Sequence, residues 1–227
     1  MDIIVVIPLR AASDCDESGA PRFYIDGQPL WEITIQHVLN AKGPREVIVA
    51  YDDDRLLEHL EKWKDLVRLW KRPETLSHAG VTTLDVLSAV SASLTEEGTH
   101  PDYLMLLEIT HPLRPATIVE QLIQVVNEQP ADAVFTARAV HYNMWRPDED
   151  GLVRIHGGTD NEAIFEEMIG ICSLFSPRWL ATNTPFGDEI DVVPIDRFWA
   201  AIDVRDEDAR WIAEQYVRRL KSGSSPK

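Results

Sequence analysis

With 227 residues, 44% of them hydrophobic, the chain is long enough to bury one sizeable core. A formal net charge of −16 opposes nucleic-acid binding, which needs cations against phosphate. No apolar run approaches a membrane span, and Asp2 with the short run behind it argues against a secretory leader, so a cytoplasmic protein without membrane contact is expected.

The first element, "IIVVI" (3–7), is too short to cross a membrane and too continuously apolar for a half-solvated strand. It reads as a core strand that runs into Pro8, Arg10 and Ser13. Further β-rich runs follow at "EVIVAY" (46–51), "LVRLW" (66–70), "YLMLLE" (103–108), "AVFTA" (133–137) and "MIGICSLF" (168–175). Between them lie helical periods. In "PATIVEQLIQVVNEQ" (115–129) a stripe of Ile118, Leu122 and Val126 follows a proline in the first turn. In the last helix Ala209, Ile212, Ala213, Tyr216, Val217 and Leu220 share a face behind the acidic start Asp206 to Asp208.

Strands alternating with helices predict crossover units, hence an α/β fold on a mostly parallel sheet with one antiparallel strand near 168–175. Residues 139–168 break the rhythm and read as an excursion from a single domain spanning 1–221; "SGSSPK" (222–227) reads as a disordered tail. Cys15 and Cys172 have no metal or redox spacing and are expected as free thiols. With so acidic a chain, any anionic ligand must be held by local cations or a metal. The crevice outside the strand ends near Pro8, Tyr51 and Glu108 is where such a ligand belongs.

The chain has no G-x-G-x-x-G and no G-x-x-x-x-G-K-[ST]. Its opening, "IPLRAAS" with "DGQPL" starting a helix, resembles sugar-activating nucleotidyltransferases, most closely cytidylyltransferases of the CMP-sialic acid synthetase type. The likeness continues in order through "VIVAYDDDRLLEHL", "RPETLSHAGVTTLDVL", "YLMLLEITHPLRPATIVEQLI", "ADAVFTA" and "AIDVRDEDARWIAE". It implies a three-layer, Rossmann-like nucleotide-diphospho-sugar transferase fold. It also implies a Mg²⁺-dependent cytidylyltransferase that joins CMP from CTP to a sialic-acid-like 2-keto sugar acid, releases pyrophosphate, and forms a homodimer through 139–168.

The same resemblance implies the site. Arg10 holds phosphate, and the small Ala11, Ala12 and Ser13 let the backbone pass close to the nucleotide. Arg22 stands for a loop lysine, Arg72, Thr82 and Glu108 line the binding site, and Asp203 is the metal ligand. Structural roles stay open for each: Arg10 pairing with an acid, Asp203 capping the last helix, Glu108 bonding a helix N-terminus.

The sequence departs from the pattern at several points. Arg205 replaces the second aspartate of the closing motif, Asp14 stands at a lysine position, and Asp16 and Glu17 add acid to the loop. Glu108, His111 and Ile169 replace a glutamine, a serine and an asparagine. These departures keep a second reading open, a binding or assembly module of the same fold that no longer turns over nucleotide.

Overall fold

The computed structural model describes residues 1–78, 80–141, 143–149, 151–156, 164–182 and 189–222. Its strands are β1 (Ile3–Pro8), β2 (Tyr24–Ile25), β3 (Gln28–Pro29), β4 (Glu46–Tyr51), β5 (Arg68–Lys71), β6 (Tyr103–Leu106), β7 (Ala133–Val140), β8 (Met144–Asp148), β9 (Gly151–His156), β10 (Ile164–Glu167), β11 (Ser173–Phe175) and β12 (Ile190–Pro194). The helices are α1 (Ala11–Asp14), α2 (Leu30–Asn40), α3 (Leu57–Leu60), α4 (Thr83–Glu96), α5 (Ile118–Glu128), α6 (Pro177–Thr182) and α7 (Glu207–Lys221).

The main sheet runs β10-β7-β11-β6-β1-β4-β5, with β12 also paired to β7. β1 is parallel to both neighbours, Val5 lying beside Val47 of β4 and Met105 of β6. β11 and β10 run antiparallel to their partners. The fold is therefore the expected α/β layering on a mixed, mainly parallel sheet.

Burial on both faces explains why the central strand β1 is continuously apolar. Ile3, Val5 and Ile7 enter one core with Trp31 and Ile35 of α2 and Ile118 and Leu122 of α5. Ile4 and Val6 enter the other with Leu87 and Val90 of α4 and Trp179 of α6. Each fully buried aliphatic side chain contributes about 1.5–3 kcal/mol, so covering both faces is what makes the continuous runs favourable. Among the described residues, no helix is long and apolar enough to cross a membrane. Both cysteines are free and buried.

Several boundaries move. Only Ser173–Phe175 of the run at 168–175 is strand; Met168 to Cys172 form a turn, with Ile171 N–H bonded to the Met168 carbonyl. β5 starts at Arg68, because Leu66 and Val67 close a turn on Trp63. α5 starts at Ile118, and Pro115 lies one turn ahead, its carbonyl accepting the Ile118 N–H. Of the face expected to bury α7, only Ala213 is buried, while Ile212 and Leu220 stay about half exposed.

The excursion also narrows. β10 belongs to the main sheet, and the β8–β9 hairpin forms its own two-stranded sheet. Tyr142, Asp150 and 157–163, within the expected excursion, and 223–227 of the expected tail lie outside the described residues.

Candidate active site

The first loop is built by one helical turn. β1 ends at Pro8, and α1 begins at Ala11, wrapping its backbone amides around the strand end. Two carboxylates already bond those amides: Asp14 Oδ2 accepts from Arg10 N–H at 2.6 Å and Asp52 Oδ1 from Ala11 N–H at 2.8 Å. Asp14 Oδ1 also accepts from the Ser13 hydroxyl at 2.8 Å. Burial pushes the Asp14 carboxyl above its usual range, against the pull of the Arg10 N–H. The loop then turns into the hairpin β2–β3 through Asp26 and Gly27, both at positive φ as an Asp-Gly hairpin turn requires.

Outside the carboxyl ends of β1 and β6 lies a cavity of about 330 Å³. Pro8, Arg10, Ser13 and Asp14 line it from the β1 side, Arg72 from the β4–β5 edge, Thr82 and Thr83 from the α4 side, and Glu108, Thr110 and Arg205 from the β6 side. A smaller space of about 140 Å³ adjoins it, sharing Ser13, Asp14, Thr110 and Arg205 and reaching Phe23 and Trp31. Of the strand ends expected to frame the crevice, Pro8 and Glu108 line this space and Tyr51 does not.

Three guanidiniums face the larger cavity. Arg10 is half-buried, its Nη2 donating to the Val81 carbonyl at 3.0 Å. Arg72 is buried; its Nε donates to the Ala50 carbonyl at 3.0 Å, and its backbone N–H continues β4 by bonding Tyr51. Burial lowers its pKa, with Asp52 and Asp14 acting in the opposite sense. Arg205 is exposed and lies between two carboxylates, Nε 2.6 Å from Asp203 Oδ2 and Nη2 3.1 Å from Glu108 Oε2. The bond to Asp203 raises its pKa, so it stays charged.

α4 points its N-terminus at the same space. Thr82 caps it in a capping box with Asp85, each side chain accepting the other's backbone N–H. Thr83 Oγ1 donates to Glu108 Oε1 at 2.8 Å, which ties the helix start to the end of β6. A helix N-terminus and three arginines thus share this cavity with the carboxylates of Asp14 and Glu108, inside a protein of −16.

Behind the crevice Arg114 is fully buried. It donates to Ile171 O at 2.9 Å, to Thr34 Oγ1 at 3.0 Å and to the Glu108 carbonyl, holding the β6 end against the 168–172 turn. Burial lowers its pKa to about 10, which leaves it charged at neutral pH. At Gly170 an added Cβ would come within 2.7 Å of Glu108 Oε2 and 2.9 Å of His111 Cε1, so any larger residue would displace those side chains. His111 is buried, and burial, then Arg114, depress its pKa from 6.5 to about 4, keeping the ring neutral.

The expected site residues divide accordingly. Arg10, Ser13, Arg72, Thr82 and Glu108 line the cavity together. Ala11 and Ala12 shape the loop beside it, Ala11 buried and Ala12 exposed. Arg22 is not brought to the cavity: Nε and Nη2 donate to the Cys15 carbonyl and Nη2 also to Ala12 O, bracing the loop from outside. Asp16 closes its own turn on Ser18 and Ala20. Asp203 does not cap α7; Asp206 does, accepting the Ala209 N–H at 2.8 Å.

The residues around Asp203 do not make a magnesium site. Its Oδ2 carries Arg205, its Oδ1 is buried without a hydrogen-bond partner, and the second carboxylate of the motif is the arginine itself. Asp206, the nearest substitute, is occupied by its cap. Among the described residues no three His, Cys, Asp or Glu side chains gather around one point.

Arg205, Thr83 and Asp52 were not singled out as site residues from sequence. The "TTLDVL" capping-box pattern marked the α4 start and could have pointed to Thr83. Arg205 was visible only as a missing aspartate. No sequence pattern carries the Asp52 contact with Ala11.

A scan of protein-family models finds no match, and a search of curated proteins finds none. Solved structures do match. One is a CMP:2-keto-3-deoxy-manno-octonic acid synthetase complexed with CTP, 16% identical, with a TM-score of 0.68, covering 99% of this chain and 100% of its own. Another is a 4-diphosphocytidyl-2C-methyl-D-erythritol synthase from Anaerococcus prevotii DSM 20548, 14% identical, TM-score 0.69, covering 96% and 99%. A further synthase of that description is 14% identical with a TM-score of 0.70, covering 95% and 98%. The chain shares their fold. That fold is the nucleotide-diphospho-sugar transferase architecture, here with a crevice lined by arginine.

Proposed function

We propose that the protein is a nucleotidyltransferase that joins CMP from CTP to a hydroxyl of a sugar acid. The observation that carries the reading is the convergence of Arg10, Arg72 and Arg205 with the α4 N-terminus on one cavity. Phosphoryl chemistry consists mainly of positioning and charge stabilisation, and guanidiniums grip phosphate oxygens in pairs. The shared fold supports the choice of cytidine, since the solved structures it resembles are a CTP-bound CMP:sugar-acid synthetase and diphosphocytidyl synthases.

In this reaction the acceptor hydroxyl oxygen bonds to the α-phosphorus as the bond to the bridging oxygen breaks. Pyrophosphate leaves with that electron pair, and the hydroxyl proton passes to solvent. Arg10 and Arg72 hold the triphosphate, and Thr82 and Thr83 bound it from the helix side. The neighbouring space lined by Phe23 and Trp31 takes the less charged end of a substrate. The β8–β9 hairpin, with Met144, Trp145, Leu152 and Val153 exposed, is the twofold contact of a homodimer; a monomer mass by light scattering would remove that assignment.

A thermal-shift panel of CTP, UTP, ATP and GTP tests the reading, because a ligand of the native state alone raises its stability. CTP should give the largest shift, and pyrophosphate should appear when a 2-keto sugar acid is added. A second reading rests on Asp14 and Asp52, which hold loop amides that would otherwise face phosphate. Under it the protein is a binding module: CTP shifts the melting point but no pyrophosphate forms. No shift with any nucleotide at millimolar concentration rejects both.

A further inference from the structure

We infer that the Arg205 guanidinium takes the place of a divalent cation in this crevice, so that the protein binds its nucleoside triphosphate as the metal-free polyanion. The inference rests on the nucleotide reading above and deepens it, naming the charge state of the ligand.

The first support is position. Arg205 lies between Asp203 and Glu108, at 2.6 and 3.1 Å. Two carboxylates from separate elements facing one cation is the arrangement that would hold a metal against phosphate oxygens. Here the cation is covalently part of the chain. A guanidinium has five N–H donors and these two contacts use two, so the side chain can hold both acids and still donate to phosphate.

The second support is that the guanidinium is set in place by the backbone. Val204 N–H donates to the Thr110 carbonyl at 2.7 Å, pinning the segment to the end of β6. Arg205 N–H bonds back to the Asp203 carbonyl at 3.1 Å. As a result Arg205 borders both the larger cavity and its smaller neighbour, the only guanidinium among the described residues lining these two cavities to do so.

The third is electrostatic. A magnesium ion would have to displace Arg205 from Asp203 or sit beside it as a like charge. Arg10 and Arg72 already supply further positive charge to the same cavity. Metal bound to the nucleotide would therefore compete with Arg205 for the same phosphate oxygens.

Calorimetric titration of the full chain with CTP, in EDTA and in millimolar MgCl2, is the test. Wild type should bind in EDTA at least as tightly as in magnesium. Arg205→Ala should weaken binding at least about tenfold in EDTA, the loss of one charge-assisted contact, with part of the loss recovered in magnesium because Asp203 and Glu108 are freed. Arg205→Asp, which restores two aspartates, should bind poorly in EDTA and gain about tenfold when magnesium is added. Wild-type binding that needs magnesium overturns the inference, and that comparison requires no variant to fold. An Arg205→Asp protein with a native melting curve and no response to magnesium also overturns it. If CTP gives no heat in either buffer, the nucleotide reading fails and this inference falls with it.

Discussion

Along the β1 wall of the crevice the polar side chains bond mainly to loop backbone, whereas on the opposite wall Thr83, Glu108, Arg205 and Asp203 bond one another side chain to side chain. Asp14 and Asp52 hold the amides of Arg10 and Ala11, and Arg22 holds the carbonyls of Ala12 and Cys15. Across the cavity, Thr82, Thr83 and Arg205 stand on elements anchored from behind, by the capping box and the Thr110 carbonyl. A loop with small residues and an arginine looks like the binding wall in sequence. In the fold much of its hydrogen-bonding capacity is internal, Arg72 reaches the cavity from the neighbouring β4–β5 edge, and the opposing wall supplies Arg205.

The largest expected effect breaks the anchor behind that second wall. Arg114→Met removes the donors of Ile171 O, Thr34 Oγ1 and the Glu108 carbonyl and leaves those acceptors buried. Destabilisation of about 3–5 kcal/mol is expected, read as a lower urea midpoint at unchanged m-value. A variant as stable as wild type would mean that Arg114 does not hold the β6 end.

The next prediction tests the β1 wall by its one guanidinium. Arg10→Ala should weaken CTP binding by about 1.5–3 kcal/mol, the range for a bond to a charged group. Folding should hardly change, since the side chain makes one hydrogen bond, to Val81 O. Calorimetry beside a melting curve separates the two; unchanged affinity would move the triphosphate to the α4 side alone.

Both walls rest on α2 and the β6 end, where two histidines are held neutral. Burial depresses His37 from 6.5 to about 4, with Arg114 adding to the effect, and His111 behaves alike. Between those values the unfolded chain binds protons that the folded chain refuses, so stability rises with pH across that window and is lost as pH falls through it. At pH 5 each histidine should cost about 2 kcal/mol relative to pH 7.5. His37→Leu should remove one proton from the slope of stability against pH between 4 and 6.5; an unaltered slope would contradict the assignment.

How far the sequence could be read follows from the physics of each element. The main-sheet strands buried on both faces announce themselves as continuous apolar runs, so β1 and β4 were legible almost to the residue, while β6 ends at Leu106, two residues before the expected Glu108. The 168–175 run was not, because its turn is apolar too: Ile171 and Cys172 are buried beneath the Arg114 guanidinium and read like strand. Arg10 and Arg72 were legible from their places beside strand ends. Arg22 and Asp203 occupied equally suggestive places, and partners distant or unforeseen in sequence decide their roles. A loop carbonyl does so for one and a neighbouring guanidinium for the other. The role of Arg205 depends on Glu108, 97 positions away, and no local pattern encodes that meeting.

The smallest expected effect sharpens the contrast between the walls at Asp14. Its carboxylate borders the same cavity as the three arginines, where it repels a triphosphate. Asp14→Asn keeps an oxygen to accept the Arg10 N–H and an amide that can donate to Ser13 Oγ, so α1 should keep its shape. Removing one negative charge beside a bound phosphate is worth about 1 kcal/mol at an intermediate effective dielectric, roughly a fivefold gain in CTP affinity at pH 7.5. Because burial pushes the Asp14 carboxyl up, the wild type should begin to lose the same charge by itself as pH falls. The gap between the two proteins should therefore narrow as the pH is lowered from 7.5, a comparison in which the titration of the nucleotide cancels. An asparagine variant that binds no more tightly at pH 7.5 would place the triphosphate away from α1, leaving the β1 wall as a brace and the α4 wall as the binding surface.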